Sequence, residues 1–384
     1  MDEFDWVKTH TTLSSYGTLS DILINDPKGS GNHIPARRDR GSFASFICHV
    51  FHLERSLRAL SPILLDNLSN VRVTDKILGQ GKTFLVREAF WIKDRNDPPI
   101  KAALKEIIPI FQPVDARSSN GSSQQLQNDW NDILFEIRAL LHEPIRYHPN
   151  LVRLLGIRWG VSPLSESTYP QILMECSPLG TLKTLQSTID PLPFRTKQTL
   201  CYDVGRGLSA LHASGIVHGD MKHENVLIFP RSDETGVKYV AKLADFGGSV
   251  MDMTSEEFRK VESWTWPFQA PEWESPLSRE GMKLTDVYSF GLLIWRLYLD
   301  GEGFISMEGA APGHPDESKQ RLADLKETEE FTQIALRDIS EYSKDHGIPE
   351  TCSAIISYAI LHTVRTKPSD RSLVKAQVAL RGIK

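Results

Sequence analysis

Cysteine is scarce in this 384-residue chain, and the cysteine residues lie far apart in the sequence. The four cysteines include no C-x-x-C pair, which excludes the common structural zinc sites, and they are too few for a secreted disulfide scaffold. They are Cys48, Cys176, Cys201 and Cys352. This spacing favours a reducing compartment.

Long hydrophobic runs and an excess of positive charge are lacking too. The longest apolar candidate, YSFGLLIWRLYL at 288–299, is too short to span a bilayer and contains an arginine. The first ten residues, MDEFDWVKTH, are acidic and polar, whereas a secretory signal begins basic and continues apolar. The formal net charge of -5 gives no reason to expect nucleic acid as a partner. We therefore expect no transmembrane segment, no nucleic-acid partner and a soluble, cytoplasmic protein.

The composition, 40% hydrophobic and 24% charged, is that of an ordinary globular protein. Residues 1–68 form an N-terminal extension in which helical spacing predicts one amphipathic helix over 43–60, with Ser42 as N-cap and Pro62 as stop. Its apolar positions are Phe43, Phe46, Ile47, Val50, Phe51, Leu57 and Leu60. Packing on the neighbouring domain is the favoured interpretation, and docking to a membrane or partner is the alternative.

From residue 71 the pattern changes to short β-prone runs at 71–79, 83–92 and 100–108, which predict an antiparallel sheet. Apolar residues between 130 and 141 then predict an amphipathic helix, and two more strands follow. Beyond Gly180 the chain is mostly helical, with an almost wholly apolar helix over 285–299. A strand-rich part followed by a helical part predicts an α+β protein of two lobes with a ligand cleft between them.

The first candidate for chemistry is a glycine-rich turn, LGQGKTFLV at 78–86. Gly79 and Gly81 lie between two predicted strands, where a missing Cβ lets backbone amides approach a phosphate. The run GKT suggests a Walker A loop, but that motif needs a glycine where this chain has Lys76. We reject that alternative.

The next predicted strand offers Lys105, which can reach phosphates from the sheet, and Ala103, which leaves room for a flat base. A carboxylate on the following helix should pair with the lysine, and Glu136 is well placed for it. Considered singly, each of these charges is explained equally well by a solvated surface pair.

The most specific pattern is HGDMKHENVLIF at 218–229, followed by LADFGG at 243–248. Asp220 offers a carboxylate to orient and deprotonate a hydroxyl, and Lys222 can neutralise charge on a transferring phosphate. Asn225 and Asp245 offer oxygen ligands for a hard cation such as Mg²⁺. Each residue alone would be an ordinary loop residue, but their order and spacing favour phosphoryl transfer.

From about residue 71 to the C-terminus, the chain resembles the eukaryotic protein kinase family. The match continues in QAPEW at 269–273, TDVYSFGLLIW at 285–295 and KPSDRSL at 367–373. The resemblance implies a bilobal kinase domain over 71–384, with an N-lobe over 71–175 and a C-lobe over 178–384. It also implies ATP and Mg²⁺ as cofactors, protein substrates, and a pair between Arg371 and Glu272.

The same resemblance assigns roles to the residues above. Lys105 and Glu136 become the strand lysine and helix glutamate, and Asp220 the catalytic base assisted by Lys222. Asn225 and Asp245 become the magnesium ligands. The implied ATP-binding residues are Leu78, Gly79, Gly81, Val86, Ala103, Lys105, Met174 as gatekeeper, Glu175 and Cys176 in the hinge, and Leu227.

Two positions depart from the family pattern. Phe84 stands where a third glycine is usual, which makes the glycine-rich loop bulkier. Gly219 stands where many members have an arginine that binds a phosphate on the activation loop. We therefore expect activity to depend little on phosphorylation of that loop, whose candidate sites are Thr254, Ser255, Ser263 and Thr265.

Lys222, together with Thr265 five residues before Ala270, favours serine or threonine as the acceptor. MECSPLGTL and LLGI look closest to the tyrosine-kinase-like and receptor-like cytoplasmic branch. Two alternatives remain: a small-molecule phosphotransferase similar to choline and aminoglycoside kinases, suggested by H-G-D, and a pseudokinase that binds without catalysis.

Overall fold

The computed structural model describes residues 70–81, 84–93, 96–107, 132–133, 135–161, 168–189, 191–231, 238–251, 253, 256–261, 263–301 and 315–382. The N-terminal extension, its predicted helix over 43–60, Thr254 and Ser255 lie outside the described residues. Within these ranges, no helix has the length and apolar character needed to cross a membrane.

The first lobe contains a five-stranded antiparallel sheet, as the sequence predicts. Its strands lie in the order β1-β2-β3-β5-β4. They are β1 Val71–Gln80, β2 Phe84–Trp91, β3 Ile100–Ile107, β4 Leu154–Val161 and β5 Thr168–Glu175. Side chains alternate between the two faces of each strand, so Lys105 and Ala103 on β3 share one face.

The opposite face of the sheet has a small apolar core of its own. It consists of Ala89, Trp91, Ala102, Leu104, Leu155 and Leu173, with Val71 and Val73 packed against it. Arg158 on β4 donates a hydrogen bond from Nη1 to the carbonyl oxygen of Val71 on β1, at 3.3 Å. Because β1 and β4 are the two edges of the sheet, this bond shows that the sheet curls around its core.

The predicted helix after β3 is present: residues 132–133 and 135–141 are helical, and we call 135–141 α1. Its buried apolar side chains include Ile137 and Leu140, which join the main core. This packing turns Glu136 towards the sheet, where it is completely buried. A one-turn helix, α2 Glu143–Arg146, follows.

The second lobe is mostly helical and also contains an antiparallel pair of strands, β6 Val226–Pro230 and β7 Tyr239–Leu243. Its helices are α3 Leu182–Thr188, α4 Phe194–Ala213, α5 Arg279–Tyr298, α6 Pro315–Lys326, α7 Glu330–Asp345, α8 Glu350–Leu361 and α9 Leu373–Leu380. The apolar helix predicted over 285–299 begins earlier, at Arg279, because Ser278 caps it by accepting a hydrogen bond from the Gly281 amide. It lies at the centre of this lobe with most of its side chains buried.

The predicted pair between Arg371 and Glu272 is confirmed. Arg371 donates from Nη2 to one carboxylate oxygen of Glu272 at 2.9 Å and from Nη1 to the other. Its Nη1 also donates to the carbonyl oxygen of Leu284 at 3.0 Å. A bidentate contact of this kind is both strong and directional. It attaches the segment ending at Glu272 to the helical lobe.

Candidate active site

Lys105 lies between two carboxylates. Its Nζ is 2.6 Å from Oε2 of Glu136 on α1 and 2.6 Å from Oδ1 of Asp245. The lysine side chain is 5% exposed, whereas that of Asp245 is 49% exposed. The buried pair thus joins sheet to helix, and the second contact joins both to the second lobe.

Charge and burial compete at this cluster. Burial opposes the positive charge of Lys105, but Asp245 and Glu136 raise its pKa above the ordinary value. The charge of Lys105 in turn lowers the pKa of Asp245. Burial raises the pKa of Glu136, and its attraction to Lys105 opposes that shift. The lysine is therefore an ammonium ion at neutral pH.

Asp220, Lys222 and Thr265 form a second cluster. Thr265 donates from Oγ1 to Oδ1 of Asp220 at 2.7 Å, and Lys222 donates from Nζ to the Thr265 hydroxyl at 2.8 Å. Lys222 also donates to Oδ2 of Asp220. The three side chains close a ring of hydrogen bonds that fixes the orientation of the Asp220 carboxylate.

Asn225 and Asp245 fit a magnesium site by the chemistry of their free atoms. Asn225 uses its amide nitrogen on Asp220, donating to the carbonyl oxygen at 2.8 Å and to Oδ2 at 3.1 Å. The amide oxygen is therefore the atom that it can present to a cation. Asp245 has a φ of 68°, and only one carboxylate oxygen contacts Lys105. Two protein oxygens are what Mg²⁺ commonly takes, because it keeps several waters.

The contacts that hold the loop at 218–225 in place could not be predicted from the sequence. Asp286, which is buried on α5, accepts hydrogen bonds from the amides of His218 and Gly219 at 2.7 and 2.9 Å. It also lies 2.8 Å from Nε2 of His212 on α4. An acidic residue at the start of the almost wholly apolar stretch 285–299 was the available signal, because a buried carboxylate needs such partners.

Gly219 has a φ of 82°, a conformation that residues with a side chain rarely adopt. A Cβ added there would lie 2.8 Å from the carbonyl oxygen of Gly248. The glycine that departs from the family pattern therefore suits the backbone of this loop.

The predicted adenine-binding residues come from both lobes. Ala103 on β3 is paired with Met174 on β5, and both are buried. Val86 is paired with Lys105, which places it on the same face of the sheet. Leu227 is on β6 of the second lobe, and Leu78 on β1 is exposed.

The predicted hinge at Glu175 and Cys176 is tied to the second lobe. Oε1 of Glu175 accepts from Nζ of Lys242 on β7 at 2.7 Å and from the amide of Arg153 at 2.8 Å. One oxygen of this carboxylate is therefore engaged within the protein. Burial raises the pKa of the half-buried Cys176 thiol.

The glycine-rich turn at 78–86 has space around one of its glycines and a bulky ring at Phe84. A Cβ added at Gly79 would meet nothing within 4 Å, so packing within the protein does not require glycine there. Phe84 points inward from β2, and the Nζ of Lys105 lies 4.6 Å from the centroid of its ring. The ring therefore makes a cation–π contact with the lysine that is predicted to bind phosphate.

A small cleft lies beside Asp220, and we call it the acceptor cleft after the hydroxyl that Asp220 is predicted to orient. Its lining includes Gly219, Asp220, Thr265, Gln269 and a pair of tryptophans, Trp264 and Trp273. The two indole rings lie 4.3 Å apart between centroids, and Trp264 is 43% exposed.

Comparison with known families then shows which family this chain belongs to. A family model described as the protein kinase domain matches residues 74–377. The chain belongs to the protein kinase family. Its two lobes, with a five-stranded antiparallel sheet in one and mostly helices in the other, agree with the bilobal fold of that family.

Similar proteins carry kinase names of more than one specificity. A protein of Acanthamoeba polyphaga mimivirus named as a serine/threonine-protein kinase/receptor is 32% identical over 174 residues, covering 43% of this kinase and 9% of the relative. A serine/threonine/tyrosine-protein kinase of Arabidopsis thaliana is 32% identical over 155 residues, covering 39% and 35%. Fibroblast growth factor receptor 1 of Dugesia japonica is 24% identical over 245 residues, covering 60% and 25%. The matched regions span 9% to 35% of the lengths of these relatives.

Proposed function

We propose that this kinase transfers the γ-phosphate of ATP to serine or threonine hydroxyls of protein substrates, with Mg²⁺. The observation that carries the proposal is the ring formed by Asp220, Lys222 and Thr265, in which both oxygens of the Asp220 carboxylate are engaged by neighbouring donors. Such a fixed carboxylate can align a hydroxyl with the phosphate that it attacks.

Each residue of the site has one task in this scheme. Asp220 accepts a hydrogen bond, and then the proton, from the acceptor hydroxyl. Lys222 offsets negative charge on the moving phosphoryl group, and Lys105, fixed by Glu136, binds the other phosphates. The contact between Lys105 and Asp245 at 2.6 Å joins this lysine to the loop that carries the proposed metal ligand.

Asn225 and Asp245 are the residues that would hold the metal. When bound, magnesium neutralises charge on the phosphate oxygens. The protein's contribution is to present one amide oxygen and one carboxylate from adjacent loops. The amide of Ala244 donates to the carbonyl oxygen of Asn225 at 2.9 Å, which couples these two loops.

Serine or threonine as the acceptor is supported by the place of Thr265. Its hydroxyl lies against Asp220 and Lys222, so the side of the carboxylate facing the segment 263–270 is filled. The similar protein of the mimivirus carries a serine/threonine-protein kinase name, which supports the same assignment.

The deciding experiment measures transfer of labelled phosphate from ATP and Mg²⁺ to a generic protein substrate, followed by identification of the labelled amino acid. Asp220→Asn keeps the size of the side chain and removes the base, so we expect labelling of serine and threonine that the variant loses. A matched variant, Asp345→Asn, changes an exposed carboxylate at the end of α7 and should retain activity.

The alternatives give different results in the same assay. Labelling of small alcohols alone would support a small-molecule phosphotransferase, and labelled tyrosine would overturn the serine/threonine assignment. ATP binding without transfer to any acceptor would indicate a pseudokinase.

A further inference from the structure

Lys326, the last residue of α6, is buried although it carries a long cationic side chain. It is 2% exposed. Lysine is almost never fully buried without a partner, so the groups around its Nζ indicate what it does.

Those groups belong to the segment that follows Thr265. Nζ of Lys326 donates to the carbonyl oxygen of Gln269 at 2.9 Å and to that of Pro267. It also lies 5.4 Å from the ring centroid of Trp266 and 5.8 Å from that of Tyr288 on α5. One amino group thus fixes the main chain at two positions and packs against two aromatic rings.

The two hydrogen bonds to carbonyl oxygens do not depend on a full positive charge. Burial lowers the pKa of Lys326 to about 7. The ammonium form has three hydrogens and the neutral amine has two, so both forms can donate to two carbonyl oxygens.

The fixed segment leads directly to the acceptor side of the site. Thr265 precedes Trp266 and donates to Asp220 at 2.7 Å, and the Phe268 amide donates back to the Thr265 carbonyl oxygen at 2.8 Å. Gln269, whose carbonyl oxygen Lys326 holds, lines the cleft beside Asp220. Movement of this short segment would therefore change both the ring around Asp220 and the wall of the cleft.

We propose that Lys326 is a positioning residue that clamps residues 266–269 and so holds Thr265 and the acceptor cleft in the arrangement for phosphoryl transfer without a phosphate on the loop. This inference rests on the proposed function. With Gly219 in place of an arginine, the catalytic loop has no guanidinium at that position with which to hold a phosphorylated loop. The hydrogen bonds from Lys326 on α6 instead attach the segment 266–269 to the helical lobe.

The test compares wild type with Lys326→Met, which keeps most of the length of the side chain and removes the amino group that makes both hydrogen bonds. The matched control is Lys344→Met, which alters an exposed lysine near the end of α7. Three quantities are measured in the full chain: kcat and KM for a protein substrate, the Kd of ATP, and the rate of limited proteolysis within residues 263–270.

We expect Lys326→Met to reduce kcat/KM for the protein substrate by about tenfold or more, the scale of lost positioning. The Kd of ATP should change less than twofold, because the nucleotide residues lie on other elements, and proteolysis of the segment should accelerate. Lys344→Met should match wild type in all three. Lys326→Arg, which restores donors for the carbonyl oxygens, should recover part of the loss.

Unchanged kcat/KM and unchanged proteolysis in Lys326→Met would overturn the inference. An equal loss of ATP binding and of acceptor turnover would overturn it too, since that result indicates a general role in folding. If wild type transfers no phosphate to protein, the proposed function fails. In that case the proteolysis and ATP measurements still decide whether Lys326 holds the segment.

Discussion

The hydroxyl of Thr265 and the carboxylate of Asp220 are joined by a hydrogen bond of 2.7 Å, although the residues lie 45 positions apart in the chain. The bond links the proposed catalytic base to the segment that forms one wall of the acceptor cleft.

This bond predicts the effect of changing Thr265. Thr265→Ala removes the donor to Asp220 and the acceptor for Lys222, so we expect kcat to fall roughly tenfold to hundredfold. Thr265→Ser keeps the hydroxyl and should stay within a few-fold of wild type. Steady-state kinetics on a protein substrate checks this, and equal activity of the two variants would contradict it.

The backbone of Gly219 predicts that the arginine of the family pattern cannot simply be restored. Gly219→Ala and Gly219→Arg should each lower the free energy of unfolding by about 1–3 kcal/mol, because φ is 82° and the Cβ would lie 2.8 Å from a carbonyl oxygen. Gly347→Ala is the matched control, since its φ is 63° but nothing lies within 4 Å of the added Cβ. Denaturant unfolding should show a smaller loss for the control, and equal losses would mean that the close contact costs nothing.

Phosphatase treatment tests the expectation that the loop works without phosphate. We expect treated wild type to keep its turnover, because no arginine stands at position 219 to bind a phosphate. Ser263→Ala should also remain active. If treatment abolished turnover and mutation of Thr254, Ser255 or Ser263 did the same, phosphorylation would be required after all.

The contact between Phe84 and Lys105 predicts an effect on ATP. The ring lies 4.6 Å from the lysine Nζ and competes with phosphate oxygens for that charge. Phe84→Gly, which restores the glycine of the family pattern, should therefore lower the KM for ATP several-fold with little change in kcat. Phe84→Leu separates loss of the ring from gain of flexibility, and a raised KM in both variants would contradict the prediction.

Lys326 predicts a dependence of stability on pH. Its pKa falls from 10.5 to about 7 on burial, so between these values the unfolded chain binds a proton that the folded protein lacks. The free energy of unfolding should therefore rise with pH through this window, relative to Lys326→Met, by up to about 1.4 kcal/mol per pH unit. Below the folded pKa the difference should be constant. Denaturant unfolding at several pH values measures it. Lys344→Met keeps Lys326, so its stability should follow that of wild type across the same pH range.

That the motif residues lie close together could be predicted from the sequence, because such motifs are recognised by residue type and local spacing. Asp220, Lys222 and Asn225 lie within one loop, and Lys105 with Glu136 needed only the order of strand and helix. Strands and helices could be predicted from the period at which apolar residues recur, although some ends differ. For example, α5 begins at Arg279, before the predicted start at 285.

The supporting contacts could not be predicted in the same way. Asp286 meets the Gly219 amide across 67 positions, and Lys326 meets the Gln269 carbonyl oxygen across 57. Both partners are backbone atoms, which every residue has, so no residue type marks them in the sequence. The inward direction of Phe84 likewise depends on where β2 lies against β3.

The curled sheet of the first lobe also bears on how accessible its edges are to another chain. An exposed, flat sheet edge is a template for pairing with another chain. Here the hydrogen bond from Arg158 to the Val71 carbonyl oxygen occupies an acceptor at one edge and draws both edge strands towards each other. A strand from a second molecule would have to break that link before it could pair at Val71, so the curvature that encloses the small core also opposes edge pairing at this end of β1.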